Sequence, residues 1–249
     1  MKMHQQFAKV DREKPEFLLA VRADPCHEDG VIEQFQALQF DPCLAHGFFC
    51  VQPGVDVQVE RAEAVARLMP GHLEAVRHLG FTEDSLRFAE QVHGDGMAVV
   101  DWESPTMSLG VDGLITADPR VALGIYVADC AAVYLADTSG RCWGLVHSGK
   151  RGSELGIVPK AIGLMGVQFG VDPSEVIVQI SPCIRPPHYE VDFASDIVQQ
   201  CIDAGVRPFG VFDSGTCTAS YPERYYSYRR EKGLTGRMLA LLGRNCPTA

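Results

Sequence analysis

The sequence predicts a mixed α/β or α+β fold, because segments with strand and helix patterns alternate along it. Three short runs rich in β-branched and aromatic residues are typical of buried strands, namely LGIYVA (123–128), AAVYLA (131–136) and RCWGLVH (141–147). Apolar residues recur at helical spacing over 59–80 and again after Asp192, which is a good helix N-cap. These patterns indicate helices before and after the three strands.

In chain order, residues 1–25 are expected to form a polar lead-in with one short apolar patch, Phe17 to Val21. The helical pattern of 59–80 is interrupted by Pro70-Gly71, so we expect two helices there. The three strands follow, separated by loops that contain Asp-Cys and Thr-Ser-Gly.

After the strands, a helix is expected over 153–169, then a strand in EVIVQIS, then a helix from Asp192 to Gly205. The closing segment 225–243 contains a turn and an apolar element whose type the pattern leaves open.

Composition narrows the class of protein. Hydrophobic residues make up 46% and charged residues 22%, as in an ordinary globular protein. No Pro- or Ser-rich linker divides residues 1–249, so we expect a single domain. The formal net charge of −10 disfavours nucleic acid and anionic membrane surfaces as partners. No apolar run approaches the roughly 20 residues of a membrane span.

The cysteines indicate the compartment. There are nine, irregularly spaced and without a CxxC pair, which does not fit a secreted disulfide scaffold. Most are expected to be small buried hydrophobes in a reducing compartment. The N-terminal segment has no apolar core of a secretory signal, so we predict a cytoplasmic protein.

A glycine-flanked basic turn follows the strand that ends at His147. It reads Ser148-Gly149-Lys150-Arg151-Gly152 and precedes a predicted helix. Backbone N–H groups in such a turn, together with Lys150 and Arg151, would form an anion site. A solvated turn beside a satisfied histidine is the alternative.

Two further residues could face the same cleft. Cys130 follows Asp129 at the end of a strand, and His93 precedes Gly-Asp-Gly in a loop. Each has a simpler interpretation, as a buried thiol or a solvated histidine. Taken with His147, however, they form a set of two imidazoles and one thiolate. Such a set suits zinc and leaves a fourth position open, as in catalytic zinc sites.

Several short motifs fall in an order that resembles the YfiH family, also named the laccase-domain or polyphenol oxidase family, which has purine nucleoside phosphorylase activity. The resemblance covers roughly residues 85–242. Its motifs are QVHG at 91–94, DGLIT at 112–116, ADC at 128–130, VHSGKRG at 146–152, SPCI at 181–184 and SYRR…TGRM at 227–238.

The resemblance implies a zinc site, in some descriptions copper, on His93, Cys130 and His147. It also implies an α+β fold with a central mixed sheet flanked by helices. The implied activities are phosphorolysis of adenosine, inosine and methylthioadenosine, and deamination of adenosine. A nucleoside and phosphate are therefore the expected partners, in a monomer or small homo-oligomer. The expected phosphate and substrate contacts are Ser148, Gly149, Lys150, Arg151 and His46.

Two departures from the family pattern fall where substrate contacts are expected. Lys150 stands in place of the tryptophan of HaGWRG, and Val51 in place of the arginine of HGFSTR. Two alternatives therefore stay open: a metal-free hydrolase with Cys130 as nucleophile and His147 as base, and a non-catalytic protein that binds a metal or a nucleoside. A phenol oxidase is disfavoured, because a laccase-type reaction needs several coppers and the eight histidines lack clustered HxH pairs.

Overall fold

The computed structural model describes residues 21–27 and 30–246, in which the strands form two β-sheets. The strands are β1 (Val21–His27), β2 (Gly30–Phe35), β3 (Leu44–Phe49), β4 (Leu86–Ala89), β5 (Met97–Val99), β6 (Met107–Ser108), β7 (Gly113–Thr116), β8 (Ala122–Val127), β9 (Ala131–Asp137), β10 (Trp143–Ser148), β11 (Val176–Ile180), β12 (Val211–Asp213) and β13 (Met238–Arg244). The α-helices are α1 (Arg61–His78), α2 (Lys150–Glu154), α3 (Ile157–Phe169) and α4 (Phe193–Asp203).

Both sheets are mixed. The first has the strand order β1-β2-β3-β13-β8-β4-β6, and the second has the order β12-β11-β9-β10-β7-β5. Most neighbours are antiparallel, whereas β4 pairs in parallel with β6 and β8, β5 with β7, and β11 with β12. The mixed α+β class predicted from the sequence is confirmed, with two packed sheets where one central sheet was expected.

Successive side chains of a strand point to opposite faces of its sheet, so one strand can contribute to two cores. On β9, Tyr134 belongs to the core between the two sheets, while its neighbours Val133 and Leu135 belong to the core beneath α3 and α4. On the far side, α1 packs Ala75 and Val76 against the outer face of the first sheet. The order of layers is therefore helix, sheet, sheet, helices.

The predicted strands at 123–128, 131–136 and 141–147 are confirmed as β8, β9 and β10, and EVIVQIS contains β11. The predicted cap of α4 is also confirmed, since the Asp192 carboxylate accepts a hydrogen bond from the Ser195 N–H at 3.3 Å. The undecided closing element is β13, which lies in the middle of the first sheet.

The expectation of two helices over 59–80 is wrong, because α1 is continuous through Pro70. Its buried residues form one face that runs across the proline, from Ala64 and Leu68 to Ala75 and Val76. A proline inside a helix costs about 3 kcal/mol, and burial of one large apolar side chain contributes about 1.5–3 kcal/mol. Packing of this face therefore offsets the missing hydrogen bond.

Two other boundaries differ from the prediction. The helix expected over 153–169 is divided into α2 and α3 at Gly156, whose φ of +69° is left-handed and cannot continue a helix. Residues 21–25 of the expected polar lead-in belong to β1, which pairs with β2. The rest of the lead-in, residues 1–20, lies outside the described residues.

The cysteines are not all free thiols. Cys43 and Cys246 form a disulfide that joins the start of β3 to the end of β13. Cys50, Cys142, Cys183 and Cys201 are buried thiols, as expected of most of the cysteines. Among the helices that the structure describes, none is both long enough and apolar enough to cross a bilayer.

Candidate metal centre

His93, Cys130 and His147 converge at one end of the seam between the two sheets. His93 lies between β4 of the first sheet and β5 of the second, Cys130 lies between β8 and β9, and His147 is in β10. Each residue offers one donor atom, and the three atoms lie within 4.8 Å of one another. The two imidazole rings stand nearly perpendicular, with their centroids 4.8 Å apart. The three residues singled out in the sequence are thus brought together.

A buried carboxylate, Asp112, organises this triad. One of its oxygens lies 2.8 Å from Nδ1 of His147, and the two oxygens accept backbone hydrogen bonds from Val92, His93 and Gly94 at 2.8–3.1 Å. Its own carbonyl accepts a bond from the His147 N–H at 2.7 Å. Asp112 therefore fixes one imidazole ring and the backbone that carries the other.

The turns that carry the triad have uncommon backbone conformations. His93 has a φ of +58° and Asp129, beside Cys130, has a φ of +84°. Such angles cost of order 1–3 kcal/mol each in a residue with a side chain, so the surroundings must impose them. The conformation of Asp129 is held through its carboxylate, which accepts hydrogen bonds from the Thr218 hydroxyl and the Arg229 N–H, both at 2.7 Å.

Gly149 leaves room for the thiol. A Cβ at this position would lie 2.5 Å from Cys130 Sγ, which no real Cβ tolerates. The φ of Gly149 is −110°, so glycine is needed here for space and not for a left-handed backbone. The glycine of VHSGKRG thus sets how closely the turn after β10 approaches the thiol.

The electrostatics couple the thiol to the imidazoles. Burial alone would raise the pKa of Cys130, but the charges of His147 and His93 and their hydrogen bonds outweigh it and lower that pKa to about 6. Burial alone would lower the pKa of His147, but the Cys130 charge and the Asp112 hydrogen bond raise it to about 9. Without a metal, the pair is therefore a thiolate beside an imidazolium at neutral pH.

These residues fit a bound metal ion. Two imidazole nitrogens and a thiolate are ligands of zinc and copper, and three protein ligands leave a position open. The contact of His147 Nδ1 with Asp112 leaves Nε2 for the ion, as in carboxylate–histidine–metal arrangements. The part of the chain that the structure describes holds no other group of three such residues arranged around one point.

The triad lies in a cleft of about 910 Å³. Aromatic side chains of Tyr126, Tyr189 and Phe193 line it, together with a set of cations. Those cations are Arg61, Lys150, Arg151, Arg229, Lys232 and Arg237. The cleft is therefore locally rich in positive charge, although the chain carries a net charge of −10.

The expected substrate contacts divide into two groups. Gly149, Lys150 and Arg151 line the cleft. Ser148 is fully buried and is not among the lining residues. The expectation for His46 is also corrected, because it lies in the core between the sheets, where its Nε2 accepts a hydrogen bond from the Phe35 N–H at 2.8 Å. Burial lowers the pKa of His46 to about 4, which keeps the ring neutral.

Val51 does not line the cleft. It is half-buried and packs against the core between the sheets. The position of the family arginine of HGFSTR is therefore a core-facing position in this chain.

The sequence patterns assigned no role to Asp112, which lies behind the triad, or to three residues that line the cleft, Asp129, Arg237 and Arg61. Asp112 and Asp129 lie inside the motifs DGLIT and ADC, so their presence beside the ligands was a usable signal. Arg237 likewise lies in the TGRM motif. Arg61 gave no signal, since an arginine at the start of an amphipathic helix is ordinary.

Known proteins share this fold. The crystal structure of YlmD from Geobacillus stearothermophilus matches with a TM-score of 0.73 and 24% identity, over 92% of this chain and 99% of that chain. The structure of YfiH, a hypothetical protein of Bacillus licheniformis, matches with a TM-score of 0.74 and 19% identity, over 87% and 97% of the two chains.

Curated relatives are named as enzymes. The purine nucleoside phosphorylase YlmD of Geobacillus stearothermophilus is 31% identical over 193 residues, which are 62% of this chain and 70% of the relative. A purine nucleoside phosphorylase of Deinococcus radiodurans is 32% identical over 191 residues, 66% of this chain and 72% of the relative.

The family model described as multi-copper polyphenol oxidoreductase laccase matches residues 58–196 and 191–245, and this range carries the triad, Asp112 and most of the cleft. Since the match spans well over half of the sequence, the chain belongs to this laccase-domain family, the YfiH family that its motifs resembled.

Proposed function

We propose that this chain is a metal-dependent purine nucleoside phosphorylase that acts on adenosine, inosine and methylthioadenosine. The observation that carries the proposal is the convergence of His93, Cys130 and His147, with Asp112 behind them, in a cleft large enough for a small molecule. The names of the curated relatives support the reaction class.

Zinc is the ion that we propose, and copper is the second candidate for the same donors. Bound by the three ligands, the ion would supply a Lewis acid at its open position. The chain's own part is to hold that position in place: Asp112 orients the His147 ring, and Gly149 leaves the space that the thiolate needs.

Phosphorolysis forms a bond from a phosphate oxygen to the ribose C1′ and breaks the bond from C1′ to the purine nitrogen. The electron pair of the broken bond leaves with the purine, which then takes up a proton. Because C1′ becomes positively charged in the transition state, an anion held beside it lowers the barrier. The positive charge of the cleft would attract that phosphate, and Tyr126, Tyr189 and Phe193 would form the apolar walls around the nucleoside.

The test is to determine the metal content of the purified protein and to incubate it with inosine or adenosine, with and without phosphate. We expect free base and ribose 1-phosphate to form only when phosphate is present, and turnover to be lost in Cys130→Ser. Cys217→Ser, at a half-buried thiol outside the triad, is the matched control. Base release that does not depend on phosphate would exclude phosphorolysis. Release of ammonia from adenosine would reveal deamination at the same site.

A metal-free cysteine hydrolase is the second candidate, and the lowered pKa of Cys130 favours it. Iodoacetamide separates the two, since a metal-bound thiolate is protected until a chelator is added. Immediate labelling of Cys130 in the protein as purified would favour the hydrolase.

A non-catalytic protein that binds a metal or a nucleoside is the third candidate, and Lys150 in place of the family tryptophan favours it. Calorimetry would detect it as nucleoside binding without turnover at any phosphate concentration.

A further inference from the structure

Arg237 is a buried cation of the cleft that forms no ion pair. It is 8% exposed, and its Nη1 donates to the backbone carbonyls of Thr235 and Gly236 at 2.7 and 2.8 Å. Of the acidic side chains that the structure describes, none forms an ion pair with it. Burial lowers the pKa of this guanidinium, and so does the charge of Arg61. The negative charges nearby offset these two effects only in part.

Arg61 faces the same cleft from the first residue of α1. Its one side-chain hydrogen bond among the described residues is a long one of 3.4 Å to the Gln91 amide oxygen. Glu60 also lines the cleft, but it does not come within ion-pair distance of Arg61. The positive end of the helix dipole adds to the charge at this place.

The other cations of the cleft are placed differently. Arg229 pairs with Glu190 at 3.2 Å and stacks on the Tyr189 ring, 4.7 Å from its centroid. Lys150 and Arg151 are exposed to solvent, and α2, which they begin, has five residues. Lys232 and Arg61 are exposed as well, so Arg237 is the buried cation of the cleft. Arg61 is the cation whose charge acts on it most strongly.

Two like charges that face one cleft are stable together when an anion lies between them. A guanidinium presents paired N–H groups that match the oxygens of a phosphate, which makes phosphate a better fit than a spherical anion. The charges of Asp129 and Cys130 also act on Arg237, so this place adjoins the candidate metal centre.

We propose that Arg61 and Arg237 form an anion subsite that takes a phosphate group beside the candidate metal centre, in place of the turn at 148–152. That the phosphate is a co-substrate rests on the proposed phosphorylase function. The subsite itself rests on the two guanidinium groups.

The experiment titrates the full-length, metal-loaded protein with inorganic phosphate by calorimetry, and also measures the KM for phosphate with inosine. The variants are Arg61→Ala and Arg237→Lys, the second of which keeps the buried charge but loses the fork. Lys150→Ala and Arg151→Ala are the matched controls from the rim of the same cleft. Thermal unfolding and metal content establish that each variant is folded and loaded.

We expect the Kd for phosphate to rise about 10- to 100-fold in both arginine variants, the range for loss of charge-assisted hydrogen bonds. The controls should change it by less than about threefold, because the charges of Lys150 and Arg151 are not among the main influences on Arg237. No binding of phosphate to the parent protein would overturn the proposal, and so would a Kd that responds to Lys150→Ala or Arg151→Ala but not to Arg61→Ala.

The subsite and the phosphorylase function can fail separately. Phosphate binding that depends on Arg61, without cleavage of any nucleoside, would keep the subsite and reject the function. Phosphorolysis with an unchanged KM in Arg61→Ala would keep the function and reject the subsite. A parallel titration with a nucleoside 5′-monophosphate shows whether the subsite takes free phosphate or the phosphate of a nucleotide. If it takes a nucleotide, binding of the nucleotide should depend on Arg61.

Discussion

Asp112 determines how the candidate metal centre is held. Its side chain is fully buried, and every hydrogen bond to it described above reaches the His147 ring or the backbone around His93. A charged acceptor in this place orients the imidazole and makes it a stronger ligand. Asp112 is thus a positioning residue, which acts on a metal through its neighbours.

We expect Asp112→Asn to weaken metal binding by about 10- to 100-fold, because the amide removes the negative charge and turns one acceptor into a donor. Competition with a chromophoric chelator measures the affinity directly, without an activity assay. Asp203→Asn, at an exposed residue of α4, should leave the affinity unchanged. Equal affinities for Asp112→Asn and the parent protein would show that Asp112 has no such role.

Gly149→Ala should displace the Cys130 thiol, because the new methyl group would lie 2.5 Å from Sγ. The expected result is a lower metal affinity and a changed cobalt–thiolate absorption in the cobalt-substituted protein. Gly163→Ala, in α3 with no atom within 4 Å of the new Cβ, is the matched control. It should leave the spectrum alone and stabilise the helix by about 0.5–1 kcal/mol. An unchanged spectrum in both variants would mean that the turn after β10 moves freely away from the thiol.

At the scale of single residues, what could be predicted depended on whether a motif contained the residue. His93, Cys130 and His147 lie in short motifs of matching order, and donor chemistry linked them. Arg61 at the start of α1 and Arg237 before β13 line the same cleft, and no local pattern indicates that residues so far apart in sequence share a site. His46 shows the opposite error, since the first residue of the stretch that corresponds to HGFSTR is a core histidine.

Among the elements, α1 shows how tertiary packing overrides a local signal. Pro70-Gly71 predicted a break, but the helix continues because its buried face continues. The same cause explains β13, whose apolar run fits a helix or a strand until β3 and β8 are seen on either side of it. Elements with their own cap, such as α4, or with a run of β-branched and aromatic residues, such as β9, could be predicted from sequence alone.

The buried face of α1 also contains a histidine, His72, which is 1% exposed. Neither ring nitrogen has a hydrogen-bond partner among the described residues, and burial lowers the pKa of this histidine to about 3. Between pH 6.5 and about 3, His72 is therefore protonated in the unfolded chain, where its pKa is near 6.5, but neutral in the folded protein. The stability that this causes is present above pH 6.5 and is lost as the pH falls from 6.5 towards 3.

The free energy of unfolding of the parent protein should fall as the pH is lowered below 6. We expect His72→Leu to make this fall less steep by about 1.4 kcal/mol per pH unit. Near pH 7 the change should be neutral or stabilising, since it removes an unpaired polar ring from the core. Urea unfolding at pH 7.5 and pH 5 measures both effects. The exposed His188→Gln is the control for a lost histidine. An equally steep acid slope in His72→Leu would place the acid sensitivity elsewhere.

Over the whole molecule, the Cys43–Cys246 disulfide closes a loop with a sequence separation of 203 residues. A cross-link of this span restricts the unfolded chain and is expected to stabilise the fold by about 2–5 kcal/mol. Reduction should therefore lower the Tm of the parent protein. The Cys43→Ser/Cys246→Ser variant should melt at the lower temperature with or without reductant. If reductant leaves the Tm of the parent unchanged, the bond contributes nothing under those conditions.

The sequence could not indicate this bond, because the cysteines show no spacing that singles out a pair. It could not indicate two sheets either, since the continuous apolar run of β9 indicates two buried faces but not what covers each of them. The mixed α+β class was predictable because strand and helix signals alternate. The partners across the core were not.

The placement of the proposed ligands has a mechanical consequence. His93 and Cys130 lie where the chain crosses from one sheet to the other. An ion bound by them would therefore cross-link the two sheets at one edge of their shared core. A metal site tolerates displacements of only about 0.5 Å before its geometry suffers. A small shift of one sheet relative to the other would therefore change the coordination of the ion before it disrupted either sheet. The spectrum of a bound cobalt ion should therefore respond to substitutions at Tyr134, which lies in the core between the sheets and does not line the cleft.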